Sequence, residues 1–248
     1  MMLLVDAGNT RVKWALVQPG AAPGQWIASG GVEHADLDQL PERWRDHAVS
    51  AVLVSNVAGA ALRARLLPLL PGARTAWFAA RAEMAGMRNG YRNPGQLGCD
   101  RFAAALGART LEPGKAIIVA TCGTATTIDA VSAQGDFLGG MILPGLGLMA
   151  SSLARNTAQL PQVLAGGPLP SGFADNTDDA ILSGILSAQA GAIERAFARH
   201  RADLCLISGG AACYIAPVLE VAHRMVDNVV LIGLQTAAAS DFASDLTG

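Results

Sequence analysis

Charge is scarce in this chain: Asp, Glu, Lys and Arg together make up 15% of its 248 residues, and the formal net charge is only −2. With a pI near 6.1 there is no basic field to attract a polyanion, and a nucleic-acid partner is not expected. Cysteine and histidine are equally sparse, at four each. Cys99, Cys122, Cys205 and Cys213 have no C-x-x-C spacing and stand in apolar or Gly-rich surroundings. They read as reduced thiols of a cytosolic protein, not as a disulfide framework or zinc site. His34, His47, His200 and His223 are scattered beside charged residues and read as surface side chains. The opening "MMLLVDAGNT" lacks a basic segment and meets Asp6 early. It is therefore not expected to be a signal peptide, and the protein is expected to stay in the cytoplasm. The uncharged stretch 137–154 is interrupted by Gly139, Gly140, Pro144, Gly145 and Gly147. It reads as buried turns and a helix, so no membrane span is expected.

What is abundant is apolar residues, 51% of the chain, enough to fill a sizeable core in one large or two half-size units. Strand patterns run over 2–6, 11–18 and 25–32, followed by a helix in 36–46 and a strand at "AVLVSNV". A helix "AALRARLLPLL" and a strand "TAWFA" complete the series. From residue 116 the order begins again: strands "AIIVAT", "ATTIDAV" and "DFLGGMI", a helix near 146–155, and a polar insert over 156–176. The segment 178–200 places Ile181, Leu182, Ile185, Leu186, Ile193 and Phe197 on one helical face, with Asp178 and Asp179 at its N-terminal dipole. "LCLIS" is read as a strand, "AACYIAPVLEVA" as a helix, "NVVLIG" as a strand and "LQTAAASDF" as a last helix. An interval of about 115 residues between the two series suggests a duplicated α/β domain rather than a solenoid.

Three turns carry the candidate chemistry. In "DAGNT" the buried strand ends on Asp6, and Gly8 lets main-chain N–H groups approach phosphate oxygens. A carboxylate there suits phosphates only with a divalent cation between them. Lys13, on the same strand face as Arg11, adds positive charge. "TCGTATT" repeats the turn with Thr124 as a donor, but has Thr121 where the first has Asp6. "LISGGAA" follows a strand and opens a helix, which suits the nucleoside or its phosphates. Between the two series, Asp100 begins a helix. Its spacing allows either an N-cap or a base accepting a proton from an attacking hydroxyl, with Arg101 beside it for an anionic group.

Taken in order, "DAGNT", "GCDR", "GTATTID", "GGMILPG", "NT" and "SGG" resemble the motifs of type III pantothenate kinases, within the acetate and sugar kinase, Hsp70 and actin superfamily. The resemblance covers essentially the full chain. It implies an α/β fold of two similar actin-like (ribonuclease H-like) halves, 1–113 and 114–248, around an interdomain nucleotide cleft. It further implies ATP-dependent phosphorylation of pantothenate in coenzyme A synthesis, with magnesium and a monovalent cation, potassium or ammonium, in a homodimer. Residue by residue, Asp6, Ala7, Gly8, Asn9, Thr10, Arg11, Val12 and Lys13 would line ATP, with Asp6 near magnesium and Thr124 on a phosphate. Asp100 would be the catalytic base. Tyr91, Gly98, Cys99, Asp100, Arg101 and Thr177 would bind pantothenate. Most family members carry Asp at the position of Thr121 as a ligand of the monovalent cation, so that site is expected to be altered here. Two other readings are a different small-molecule kinase of the superfamily and a nucleotide-binding regulatory protein.

Overall fold

The computed structural model describes residues 1–163, 169–170 and 172–240. Contacts divide the chain into two compact units. The first comprises Met1–Gly114, Gly135–Leu138 and the segment from Asn228 on; the second comprises Lys115–Gln134 and Gly139–Asp227.

In the first unit, β1 (Met2–Ala7) and β2 (Arg11–Val17) form an antiparallel hairpin, and β3 (Ala28–Glu33) continues the meander. A 3-10 segment, His34–Gln39, and α1 (Leu40–Trp44) lead to β4 (Ala51–Asn56), which is parallel to β1. Then come α2 (Gly59–Leu66) and β5 (Arg74–Trp77), parallel to β4. The sheet order is β3-β2-β1-β4-β5.

Strand alternation gives this sheet two buried faces. Leu3, Val5, Val12, Trp14, Val52 and Val54 pack with Leu37, Leu40 and Trp44 on one side. Trp14 and Trp44 meet edge to face with centroids 6.0 Å apart. Asp6, Lys13 and Ser55 fall on the other side.

A short hairpin, β6 (Glu83–Met84) and β7 (Met87–Asn89), was not legible in the sequence. It precedes α3 (Cys99–Leu111), whose run from Arg101 to Ala108 is buried throughout.

The second unit holds β8 (Ile117–Cys122), β9 (Ala125–Val131), β10 (Asp136–Pro144), α4 (Leu146–Asn156) and α5 (Thr177–His200). After these come β11 (Leu204–Ser208), α6 (Ala212–Ile215) and β12 (His223–Met225). Its strands run β12-β11-β8-β9-β10. With β8, β9 and β10 in the places of β1, β2 and β3, and β11 and β12 in those of β4 and β5, the same strand order appears twice. The α5 N-cap is Asn176, whose side chain accepts from the Asp179 N–H at 3.0 Å. Leu186, Ala190 and Ile193 of this helix bury against Ile118, Ala120, Ile128 and Ile207. The start of β10 belongs to the first unit, where Asp136 and Phe137 pair with Arg88 and Asn89 of β7.

Several expected elements differ. "NVVLIG" is no strand: α7 (Val229–Ala239) begins there and packs on α3 within the first unit, so a single division at 113/114 does not describe the contacts. A short all-apolar run fits a buried helix as well as a buried strand, and its continuation into "LQTAAA" makes a helix. Cβ atoms at Gly107 and Gly233 would lie 2.4 Å from the Val229 carbonyl and 1.7 Å from that of Ala103. Only hydrogen at both places lets the two helices approach this closely. The end of the expected helix 234–242 lies outside the described residues. "AACYIAPVLEVA" breaks at Pro217 into α6, a 3-10 turn over Ala216–Val218, and the approach to β12. The strand expected over 25–32 starts at Ala28, and the helix expected over 36–46 is split by its 3-10 segment. Among the described residues, no helix is long and apolar enough to cross a membrane.

Candidate active site

Strand register sets the first group of polar residues side by side. Asp6 is opposite Lys13 in the β1–β2 pair and opposite Ser55 in the β1–β4 pair. The three side chains therefore share one face of the sheet. Asp6 is 9% exposed and Ser55 fully buried.

Burial pushes the Asp6 carboxyl up to about 7; the Lys13 ammonium pulls it down and the charge of Asp100 pushes it up again. Buried acids are ordinarily paired or bound to a cation.

The turn after β1 places Ala7 and Val12 in the core, so these two can offer a ligand only main-chain groups. Asn9, Thr10 and Arg11 are exposed, and the Gly8 N–H bonds the Arg11 carbonyl at 3.1 Å. Arg11 donates to the Gly31 carbonyl at 3.4 Å.

At the start of α3 the N-cap position is Gly98, not Asp100. Asp100 is the second residue of the helix, and its Oδ1 accepts the Arg101 N–H at 2.8 Å. Burial raises its pKa, while that hydrogen bond and the Arg101 charge act in the opposite direction. Cys99 lies 3.4 Å from Ser55 Oγ and donates to the Asn56 carbonyl at 3.6 Å, tying the first turn of α3 to the end of β4. Asp100 thus sits on a turn anchored beside Asp6. Burial also raises the Cys99 thiol, which favours the uncharged form.

Arg101, only 7% exposed, donates to the Tyr91 phenol oxygen at 2.8 Å. Its guanidinium carbon lies 5.7 Å from the Tyr91 ring centre and 5.9 Å from that of Phe137. Tyr91 and Phe137 pack at 5.7 Å. Phe137 was not among the sequence candidates. It is brought in by β10, whose Phe137 carbonyl also accepts the Gly90 N–H at 2.9 Å. Asn89 fixes the same corner, accepting the Tyr91 N–H at 3.1 Å and donating to the Pro94 carbonyl at 3.2 Å.

The remaining candidates belong to the second unit. Thr124 is exposed at the β8–β9 turn, and Thr177 is the exposed first residue of α5. The Gly145 N–H donates to the Thr124 carbonyl at 2.9 Å, and a Cβ on Gly145 would come within 2.1 Å of the Gly123 carbonyl. The Ala211 N–H donates to the Cys122 carbonyl at 3.0 Å. The glycines of "GTATTID", "GGMILPG" and "SGG", far apart in sequence, thus pack into one corner. Thr121 and Thr127 are register partners in the β8–β9 pair, and both hydroxyls are buried without a hydrogen-bond partner.

The histidines are not simple surface groups: His34, His200 and His223 each contact a main-chain carbonyl, those of Gly8, Val131 and Val221.

The family model for type III pantothenate kinase matches residues 2–199. The type III pantothenate kinase of Janthinobacterium sp. (strain Marseille) is 56% identical over 254 residues, covering 96% of this chain and 97% of the relative. That of Herminiimonas arsenicoxydans is 54% identical, with coverages of 96% and 97%. Among solved structures, a Baf-family protein from Campylobacter jejuni aligns with a TM-score of 0.62 at 21% identity, covering 95% of this chain and 96% of that one. The activator of 2-hydroxyisocaproyl-CoA dehydratase from Clostridium difficile, with bound ADPNP, aligns at 0.54 and 13%, covering 96% and 92%. These two likenesses speak for the fold alone: two similar halves of the actin-like type. The fold, the order of the motifs and the length of the matches agree, and the chain belongs to the type III pantothenate kinase family.

Proposed function

We propose that this chain transfers the γ-phosphoryl group of ATP to the primary hydroxyl of pantothenate, giving 4′-phosphopantothenate and ADP at the entry to coenzyme A synthesis. The observation that carries the reading is the placement of two acids, buried Asp6 and half-buried Asp100, with Lys13 flanking the first in strand register and the Asp100 charge reaching it. One acid serves charge balance at the phosphates and the other serves proton transfer.

In this reading the N–H groups of Asn9 and Thr10, with Arg11, Lys13 and the Thr124 hydroxyl, hold the polyphosphate; Gly8 lets the main chain approach it, and Ala7 and Val12 shape the turn from the core. Asp6 is the residue to hold magnesium, directly or through water, since its carboxylate stands at the turn end of the buried strand, in register with Lys13 and Ser55. A divalent cation there supplies neutralisation of phosphate charge.

Asp100 takes the hydroxyl proton as the oxygen bonds to phosphorus and the bond to the β-phosphate oxygen breaks. The transition state is loose and highly charged, so alignment of donor and acceptor matters more than basicity. A carboxyl raised by burial is still a somewhat better base than an ordinary one. Arg101 pairs with the pantothenate carboxylate, Tyr91 borders it, and Gly98, Cys99 and Thr177 complete the contacts. A homodimer is part of the proposal; in the second unit, exposed Met141, Ile142, Leu148 and Leu153 offer apolar surface for it. The site of action is the cytoplasm.

The monovalent-cation site of the family would be altered. Thr121 and Thr127 contribute neutral hydroxyl oxygens, which suit potassium or ammonium as weak ligands but add no negative charge. The test of the whole reading is product detection by mass after incubation with magnesium, ATP and pantothenate. Phosphopantothenate from the parent protein is expected; its absence across cation conditions overturns the proposal.

A further inference from the structure

His34, the first residue after β3, reaches back to the first phosphate turn. Its Nε2 lies 2.9 Å from the Gly8 carbonyl oxygen. A carbonyl only accepts, so Nε2 carries the proton in this contact. His34 is itself fixed, because Arg65 donates to its main-chain carbonyl at 2.9 Å. The neighbouring Glu33 is in register with Arg11 at the start of β2.

The consequence lies in the peptide that follows. The Gly8 carbonyl and the Asn9 N–H belong to one planar trans unit and point in opposite directions. Gly8 has no side chain to restrict rotation of that plane. Turned the other way, the carbonyl would present its negative end where the N–H now points. We propose that His34 is a positioning residue for nucleotide binding: its Nε2–H holds the Gly8 carbonyl so that the Asn9 N–H faces the phosphate oxygens. This rests on the reading of the first turn as a phosphate turn.

Calorimetric titration of the full protein with magnesium and the non-hydrolysable ATP analogue AMPPNP tests it. A hydrogen bond of ordinary strength accounts for a loss of about tenfold in affinity in His34→Ala. His34→Gln, which presents an N–H at similar reach, should stay within about threefold of the parent. The KM for ATP should follow the same order, with that for pantothenate much less affected. Equal affinities in the parent and His34→Ala overturn the inference. So does a Gln variant as weak as the Ala variant, which marks a loss of packing. Gly8→Val separates the underlying reading: if it binds AMPPNP as the parent does, or if the parent does not bind, the turn is not the phosphate site and both proposals fall.

Discussion

Asp6 and Lys13 are cross-strand partners, yet no ion pair joins them. The two opposite charges lie on one sheet face without neutralising each other. Lys13 lowers the Asp6 pKa, but burial outweighs it and the carboxyl stands near 7. A salt bridge made only for stability would have closed this gap. An open one leaves both groups for a ligand carrying charges of both signs, such as a metal–phosphate complex.

Folded Asp6 binds a proton more tightly than the unfolded chain does, so its contribution is fully present below about pH 4 and is lost as pH rises through about 7. Asp6→Asn removes that penalty. The variant should lose activity yet melt higher than the parent at pH 8 without ligand, by a few kcal/mol in stability, with the gap closing at pH 4. Scanning calorimetry at the two pH values checks it; the same gap at both excludes the ionisation as the cause.

Arg101 acts through a fixed fork pinned by the Tyr91 phenol. Lysine keeps the charge but loses the planar geometry. Arg101→Lys should therefore raise the KM for pantothenate by about tenfold or more, with little change in that for ATP. Steady-state kinetics with each substrate varied decides it. Tyr91→Phe should show a smaller loss in the same direction.

Packing between α3 and α7 gives a prediction independent of activity. Gly233→Ala drives a methyl against the Ala103 carbonyl, 1.7 Å from the ideal Cβ position. The cost should be about 3 kcal/mol or more. Gly184 in α5 has open space around its Cβ, and its replacement by Ala should stabilise by about 0.5–1 kcal/mol. Urea unfolding of the two variants measures both.

Thr121→Asp gives the β8–β9 turn a charged ligand where the parent has only hydroxyls. The parent should depend weakly on potassium or ammonium at constant ionic strength, and the variant should depend on them more steeply. A full, high-affinity potassium requirement in the parent would contradict the account of an altered cation site.

The β1–β2 hairpin, the repeated strand order and α5 were legible because alternation and helical periodicity survive in their sequences. The strand expected at "NVVLIG" failed because its short apolar run after Asn228 carries neither period, and the helix formed there packs on α3 through Gly233 against Ala103 and Gly107 against Val229. Asp6, Asp100, Arg101 and Thr124 stand out in the sequence as candidates from residue type beside turn glycines. Ser55, Phe137 and His34 do not. Each reaches its partner only through strand register or a loop returning from elsewhere in the chain: Ser55 beside Asp6, Phe137 under Arg101, His34 on Gly8. Asp100 read equally as an N-cap until Gly98 was seen to hold that position.

The most direct measurement is the rate of phosphopantothenate formation by the parent and by Asp100→Asn, followed by mass at saturating magnesium, ATP and pantothenate. The account predicts product from the parent and a kcat at least about a hundredfold lower in the variant. In the parent, the acid limb of the pH profile should lie above the usual carboxylate range, as burial of Asp100 requires. No product from the parent contradicts the proposed activity, and equal rates from the two proteins contradict the role of Asp100 as the base.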